Sequence, residues 1–143
     1  MEKKSTVNLF DEAYQKLFEY YGPQGWWPAE TRFEMMVGAV LTQNTNWKNV
    51  EKAIKNLRER GLLDISHLVA TPEEIVADAI RPSGYYNLKA RRLKNLLNMI
   101  VELYDGELEL FFQASPDCSR SDLLSVKGIG PETADSILLY CAA

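Results

Sequence analysis

Apolar residues recur at helical spacing through almost the whole chain, and this periodicity restricts the fold more than any other property. Tyr14, Leu17, Phe18 and Tyr21 follow the i, i+3, i+4, i+7 pattern, as do Val50, Ala53, Ile54 and Leu57. The same spacing returns at Leu93, Leu96, Leu97 and Ile100, and again at Ala134, Ile137, Leu138 and Cys141. Phe33, Val37, Val40 and Leu41 form a further stripe on a helix that Thr31 is placed to cap. Other caps fit these runs: Asn46 before "WKNVEKAIKNL", Asp64 before "ISHLVA", Thr71 followed by Pro72 and Glu74, and Ser119 or Ser121 before "DLLSV". No run alternates apolar and polar residues between strand boundaries. The pattern predicts an all-α domain of roughly seven to nine short helices. The clusters "YGPQGWWPAE", "RPSGYYN" and "VKGIGPE" punctuate helices and do not separate domains, so residues 1–143 read as a single domain.

With 143 residues, 46% of them apolar, the chain can fill a sizeable core. Cys118, Cys141 and His67 are the whole soft-ligand inventory, too few for a zinc site or an iron–sulfur cluster. The start "MEKKSTVNLF" lacks a signal-peptide core, and no window approaches the ~18 apolar residues of a membrane span. A soluble, cytoplasmic protein with no membrane partner is expected. The net charge of −4 argues against coating nucleic acid by bulk electrostatics. Yet Ala79 to Val101 contains no acidic residue and carries Arg81, Lys89, Arg91, Arg92 and Lys94. This run reads either as the solvated face of a helix or as a set of backbone-contacting cations, with Lys89, Arg91 and Arg92 the candidates.

In "LLSVKGIGPETADSIL" a short apolar helix ends near Val126, Gly128 and Gly130 bracket a turn, and Pro131 opens the next helix. Amides pointing outward at a helix N-terminus, with the positive end of the dipole behind them, favour an anion such as phosphate. The plainer alternative is an αα-hairpin whose glycines serve only as a C-cap.

Three segments together carry a family resemblance. Leu124, Gly128, Ile129, Gly130, Thr133 and Ala134 fall in the register of a helix-hairpin-helix motif; "VGAVLTQNTNWKNVEKAI" and "SGYYNLKARRLKNL" match two further motifs in the same order. The chain resembles, over roughly residues 30 to 141, the endonuclease III (HhH-GPD) superfamily of DNA glycosylases. The resemblance implies the helix-hairpin-helix glycosylase fold, with the hairpin at residues 123–141 and double-stranded DNA containing a damaged base as partner. It implies that Lys127, Gly128, Ile129, Gly130 and Thr133 hold a DNA phosphate, with a monovalent cation on the backbone of Val126 and Gly128. Gln43 takes the place of a glutamine that reaches into the duplex near the vacated base. A nucleoid-associated location follows for such a protein.

The bifunctional relatives form a Schiff base through a lysine where this chain has Glu132. A carboxylate cannot form an imine, and Lys127 precedes the glycines, so the resemblance points to a monofunctional enzyme that uses water. Trp26, Trp27 and Trp47 flank the Phe33–Leu41 stripe. They read either as packing wedges or as the faces of a base pocket. Such faces suit a cationic N-alkylated purine, with attraction of up to ~2 kcal/mol when desolvated. This arrangement resembles the 3-methyladenine glycosylases of endonuclease III type. The family's catalytic aspartate, which stabilises an oxocarbenium-like sugar, would fall after Ala143, and so would the four cysteines that many members use for an iron–sulfur cluster. The chain is therefore expected to be truncated before its catalytic Asp, with no catalytic residue and no cluster of its own. Three readings stay open: part of an alkylpurine glycosylase, part of a family glycosylase with another substrate, or a noncatalytic module that binds DNA backbone. A monomer is expected, with oligomers if truncation exposes apolar surface.

Overall fold

The computed structural model describes residues 31–141, and of residues 140 and 141 only the backbone. Eight α-helices follow one another: α1 Arg32–Leu41, α2 Trp47–Glu59, α3 Ile65–Ala70, α4 Glu73–Ala79, α5 Tyr86–Tyr104, α6 Leu108–Gln113, α7 Pro116–Ser125 and α8 Pro131–Cys141. A 3-10 turn, Arg81–Ser83, joins α4 to α5, and the described residues contain no strand. The all-α expectation holds. The Tyr14–Tyr21 stripe lies outside the described residues.

The centre is α1. Its sequence RFEMMVGAVL is apolar nearly all round, the pattern of a helix covered on every side. Met36, Val37, Val40 and Leu41 are completely buried, and α2, α5 and α8 all pack on this helix. The carboxylate of Glu34, also buried, is paired with Arg58 of α2. Leu93, Leu96, Leu97 and Ile100 face this core from α5, and Ala134 and Ile137 from α8. The hairpin of α7 and α8 is therefore seated on the core through α8, which fixes its turn relative to the C-terminal end of α1.

Three caps form as their side chains dictate: Thr31 Oγ1 accepts from Glu34 N at 3.1 Å, Asn46 from Asn49 N at 3.0 Å, and Asp64 from His67 N at 2.8 Å. Two others differ from the sequence reading. Thr71 donates its hydroxyl back to His67 O at 2.6 Å, closing α3, and Pro72 stands at the start of α4 with no side-chain cap. Ser115 caps α7, accepting from Cys118 N at 3.3 Å, whereas Ser119 is buried within that helix and donates to Phe111 O at 3.0 Å. Pro116 at the first helical position sets the earlier start. No helix among the described residues is long and apolar enough to cross a membrane.

Candidate nucleic-acid interface

The hairpin turn is anchored by two apolar side chains. Val126 and Ile129 are buried beneath it, and Ile129 N donates to Val126 O at 3.1 Å, closing a tight turn around Lys127 and Gly128. Gly128 has φ +99°, and a Cβ there would collide with Cγ of Arg92 and come within 3.1 Å of its Cδ and Nε. The fold thus requires glycine at this position. Gly130 differs: its φ is not positive, and a Cβ would meet nothing within 4 Å. Packing does not demand glycine here; what glycine supplies is an unobstructed approach to the start of α8. Among the described residues, none accepts from the amides of Lys127, Gly128 or Gly130. Three amide donors are therefore left without a protein acceptor beside the positive end of an 11-residue helix.

A second segment lies against the hairpin. After α1, Thr42 closes the helix by donating N–H to Gly38 O at 3.0 Å. Gln43 then reaches across to α8, its Nε2 donating to Thr133 Oγ1 at 2.6 Å, while Arg92 Nη1 of α5 donates to its Oε1. The next residue, Asn44, is in the left-handed region at φ +57°. A third segment ends at Tyr85, also left-handed at φ +45° and 67% exposed. Non-glycine residues in this region carry strain, and large exposed aromatics do so seldom.

One row of α5 holds all three segments. Lys89 is 1% exposed; its Nζ donates to Leu41 O at 2.9 Å and Ser83 O at 2.7 Å, drawing the chain ahead of Gln43 and the chain ahead of Tyr85 to one point. Arg92 underlies Gly128 and grips Gln43. Asn95 Nδ2 donates to Lys127 O at 3.2 Å. Residues at i, i+3 and i+6 form a ridge along a helix, so these three fasteners share one edge. Burial, with the Arg92 charge nearby, pulls the Lys89 ammonium down to about 8.

This geometry corrects the reading of the cationic run. Lys89 makes no contact with a DNA backbone, because its ammonium is enclosed by two carbonyls. Arg92 is turned inward onto Gln43 and the hairpin. Lys94 gives its ammonium to the carbonyls of Leu68, Val69 and Thr71 at the end of α3. Arg81 pairs with Asp78 at 3.3 Å and lies over the Tyr86 ring. Arg91, like Arg81, keeps most of its side chain exposed, and it meets Glu73 at 3.4 Å. The run is mainly a set of internal fasteners.

Lys127, Gly128, Ile129, Gly130 and Thr133 come together around the hairpin turn, joined there by Gln43. Ile129 contributes anchorage, since its side chain is buried, and Thr133 is 7% exposed beneath Gln43. Glu132 is exposed in the first turn of α8. Trp47 is 8% exposed at the start of α2, its indole N–H donating to Glu51 Oε1 at 2.9 Å. Trp26 and Trp27 lie outside the described residues. Sequence reasoning missed Asn95, Ser83, Asn44 and Tyr85. The three-residue spacing of Lys89, Arg92 and Asn95 was a signal for the shared ridge, whereas the left-handed backbone at Asn44 and Tyr85 left none.

The HhH-GPD superfamily model of base excision DNA repair proteins matches residues 37–134, and the chain belongs to this superfamily. A Methanocaldococcus jannaschii protein, provisionally named a DNA repair glycosylase, is 50% identical over 140 residues, which are 96% of this chain and 63% of that protein. Endonuclease III of Thermotoga maritima is 35% identical over 74% of this chain and 46% of its own length. The chain thus spans less than two thirds of these relatives. Among solved structures, the Helicobacter pylori 3-methyladenine DNA glycosylase MagIII bound to 1,N6-ethenoadenine superposes with TM-score 0.74 at 31% identity, covering 94% of this chain and 64% of that one. A trapped endonuclease III–DNA covalent intermediate gives TM-score 0.66 at 26% identity, covering 96% and 59%.

Proposed function

We propose that this chain is the DNA-gripping part of a base-excision DNA glycosylase that hydrolyses the N-glycosidic bond of an alkylated purine such as 3-methyladenine and has no Schiff-base lyase step. The observation that carries the reading is the Gln43–Thr133 hydrogen bond of 2.6 Å, which makes one surface of the hairpin turn and the glutamine loop, 90 residues apart in sequence. The turn offers amide donors and an open approach at Gly130 to a backbone phosphate. Phosphate contacts of this kind set register without reading sequence. Gln43 and the exposed ring of Tyr85 then stand beside the phosphate, where a duplex with one base extruded would be filled. The carbonyls of Val126 and Gly128 are hard oxygen donors suited to a monovalent cation, which would strengthen the hold on phosphate.

Glu132 supports the hydrolytic reading, since a carboxylate in the first turn of α8 supplies no amine for an imine. The alkylpurine substrate is supported by the likeness to MagIII, a 3-methyladenine glycosylase, whereas Trp47, buried in the core at the start of α2, is placed as a packing wedge. The deciding experiment incubates methylated duplex DNA with the full-length gene product and measures free 3-methyladenine. Release is expected, with no adduct after borohydride reduction. Absence of any released base overturns the enzyme reading; a borohydride-trapped adduct overturns the monofunctional one.

A further inference from the structure

Gln43 is held at both ends of its amide, and the two anchors differ in chemistry. Arginine has donors and no acceptor, so the atom facing Arg92 must be the amide oxygen, which leaves Nε2 against Thr133 Oγ1. A glutamine amide normally flips between two nearly isosteric states; here the donor-only partner removes one of them. Arg92 is itself immobilised. Its stem runs beneath Gly128, and its Nε is buried with no partner among the described residues. A buried donor left unpaired is uncommon and marks a side chain placed for another purpose than satisfying its own groups.

We propose that Arg92 is a positioning residue for opposite-strand recognition: it fixes the Gln43 amide so that one N–H and one oxygen lone pair face outward in a set order. The inference rests on the reading that Gln43 enters the duplex beside the vacated base. A fixed donor–acceptor order favours some base edges over others, whereas a freely flipping amide accepts either order. Because the same arginine underlies Gly128, phosphate seating at the turn and the orientation of Gln43 are set by one side chain.

The test measures affinity for duplexes carrying a tetrahydrofuran abasic-site analogue opposite each of the four bases. Wild-type affinities should spread over about fivefold or more, the discrimination expected of an oriented amide. Gln43→Ala and Arg92→Met should each narrow the spread to within about twofold, and the double variant should narrow it no further. Arg92→Gln, whose amide offers Gln43 both a donor and an acceptor and so admits both orientations, should also narrow the spread; it covers the case in which Arg92→Met fails to fold, as judged by thermal melting. Narrowing by Gln43→Ala with the full spread retained in a folded Arg92→Met or Arg92→Gln overturns the role of Arg92. A wild-type protein with no spread, or one that Gln43→Ala leaves unchanged, overturns the entry of Gln43 into the duplex and this inference with it. The glycosylase reading is judged separately by base release.

Discussion

The α5 helix and the hairpin turn both carry features that point toward DNA, and they use charge in opposite ways. The α5 helix has four cations on its 19 residues and turns three of them onto the protein's own backbone and onto Gln43. The hairpin turn has one cation, Lys127, and keeps backbone amides free of protein acceptors. In a chain with net charge −4, the proposed anion site rests on peptide dipoles, and the cationic run builds the frame beneath it.

The comparison is tested most severely at Lys89. Replacing it with Met leaves the carbonyls of Leu41 and Ser83 buried without a donor, at a cost of about 2–4 kcal/mol. Lys127→Met should change stability by no more than about 0.5 kcal/mol, because its side chain is exposed. Urea unfolding of the two variants measures the difference. Similar values for both would erase the distinction between frame and surface.

A smaller contrast lies within the turn. Gly128→Ala must adopt φ +99° and displace Arg92, costing about 1–3 kcal/mol. Gly130→Ala meets no neighbour and should leave stability level, or raise it by up to ~1 kcal/mol through the unfolded chain, yet weaken DNA binding severalfold because its methyl would stand in the path of the proposed phosphate. Melting curves and anisotropy on one undamaged duplex separate the two effects. Undiminished affinity in Gly130→Ala would remove the phosphate from the start of α8.

The pH response of Lys89 sharpens the same point. Its ammonium releases a proton at about 8 in the folded chain and near 10.5 when unfolded. Between these values the unfolded chain holds more protons, so stability rises with pH, by about 1 kcal/mol from pH 8 to 9. Tyr104 acts in the opposite direction at higher pH: its phenol donates to Asp122 and is pushed up to about 12, so stability falls as pH climbs from 10 to 12. The window from 8 to 9 isolates the lysine. The free-energy gap between wild type and Lys89→Met should widen across it, and a constant gap would mean that the amine stays charged in its enclosure.

Much of this was legible in the sequence, for physical reasons that mark the boundary. Helical periodicity placed the stripes of α1, α2, α5 and α8, since burial of one face writes a period of 3.6 into the chain. Asn46 and Asp64 were readable as caps because a cap acts on residues two or three positions away. Gly128 was readable as a turn, but that Arg92 underlies it depends on a contact spanning some 36 positions, which no local pattern records. The direction of Lys89 was illegible for a related reason. A lysine on an amphipathic helix looks solvent-bound until a carbonyl from another loop, here Leu41 O, is brought within 2.9 Å.

The smallest effect concerns two exposed cations, Lys127 and Arg91. Lys127 sits on the turn with its carbonyl tied to Asn95, so its ammonium is positioned near any phosphate bound at the amides. Loss of one phosphate contact lowers the slope of log affinity against log salt by about 0.9, equally for every DNA sequence. Lys127→Ala should show that change at unaltered stability. Arg91→Ala should show less, because its guanidinium already meets Glu73 at 3.4 Å and lies on the flank of α5 toward α4. Salt titrations of both variants on one undamaged duplex decide the matter. Equal slopes would extend the DNA footprint along the outer face of α5, and the division of labour between inward cations and free amides would then hold only for the ridge of Lys89, Arg92 and Asn95.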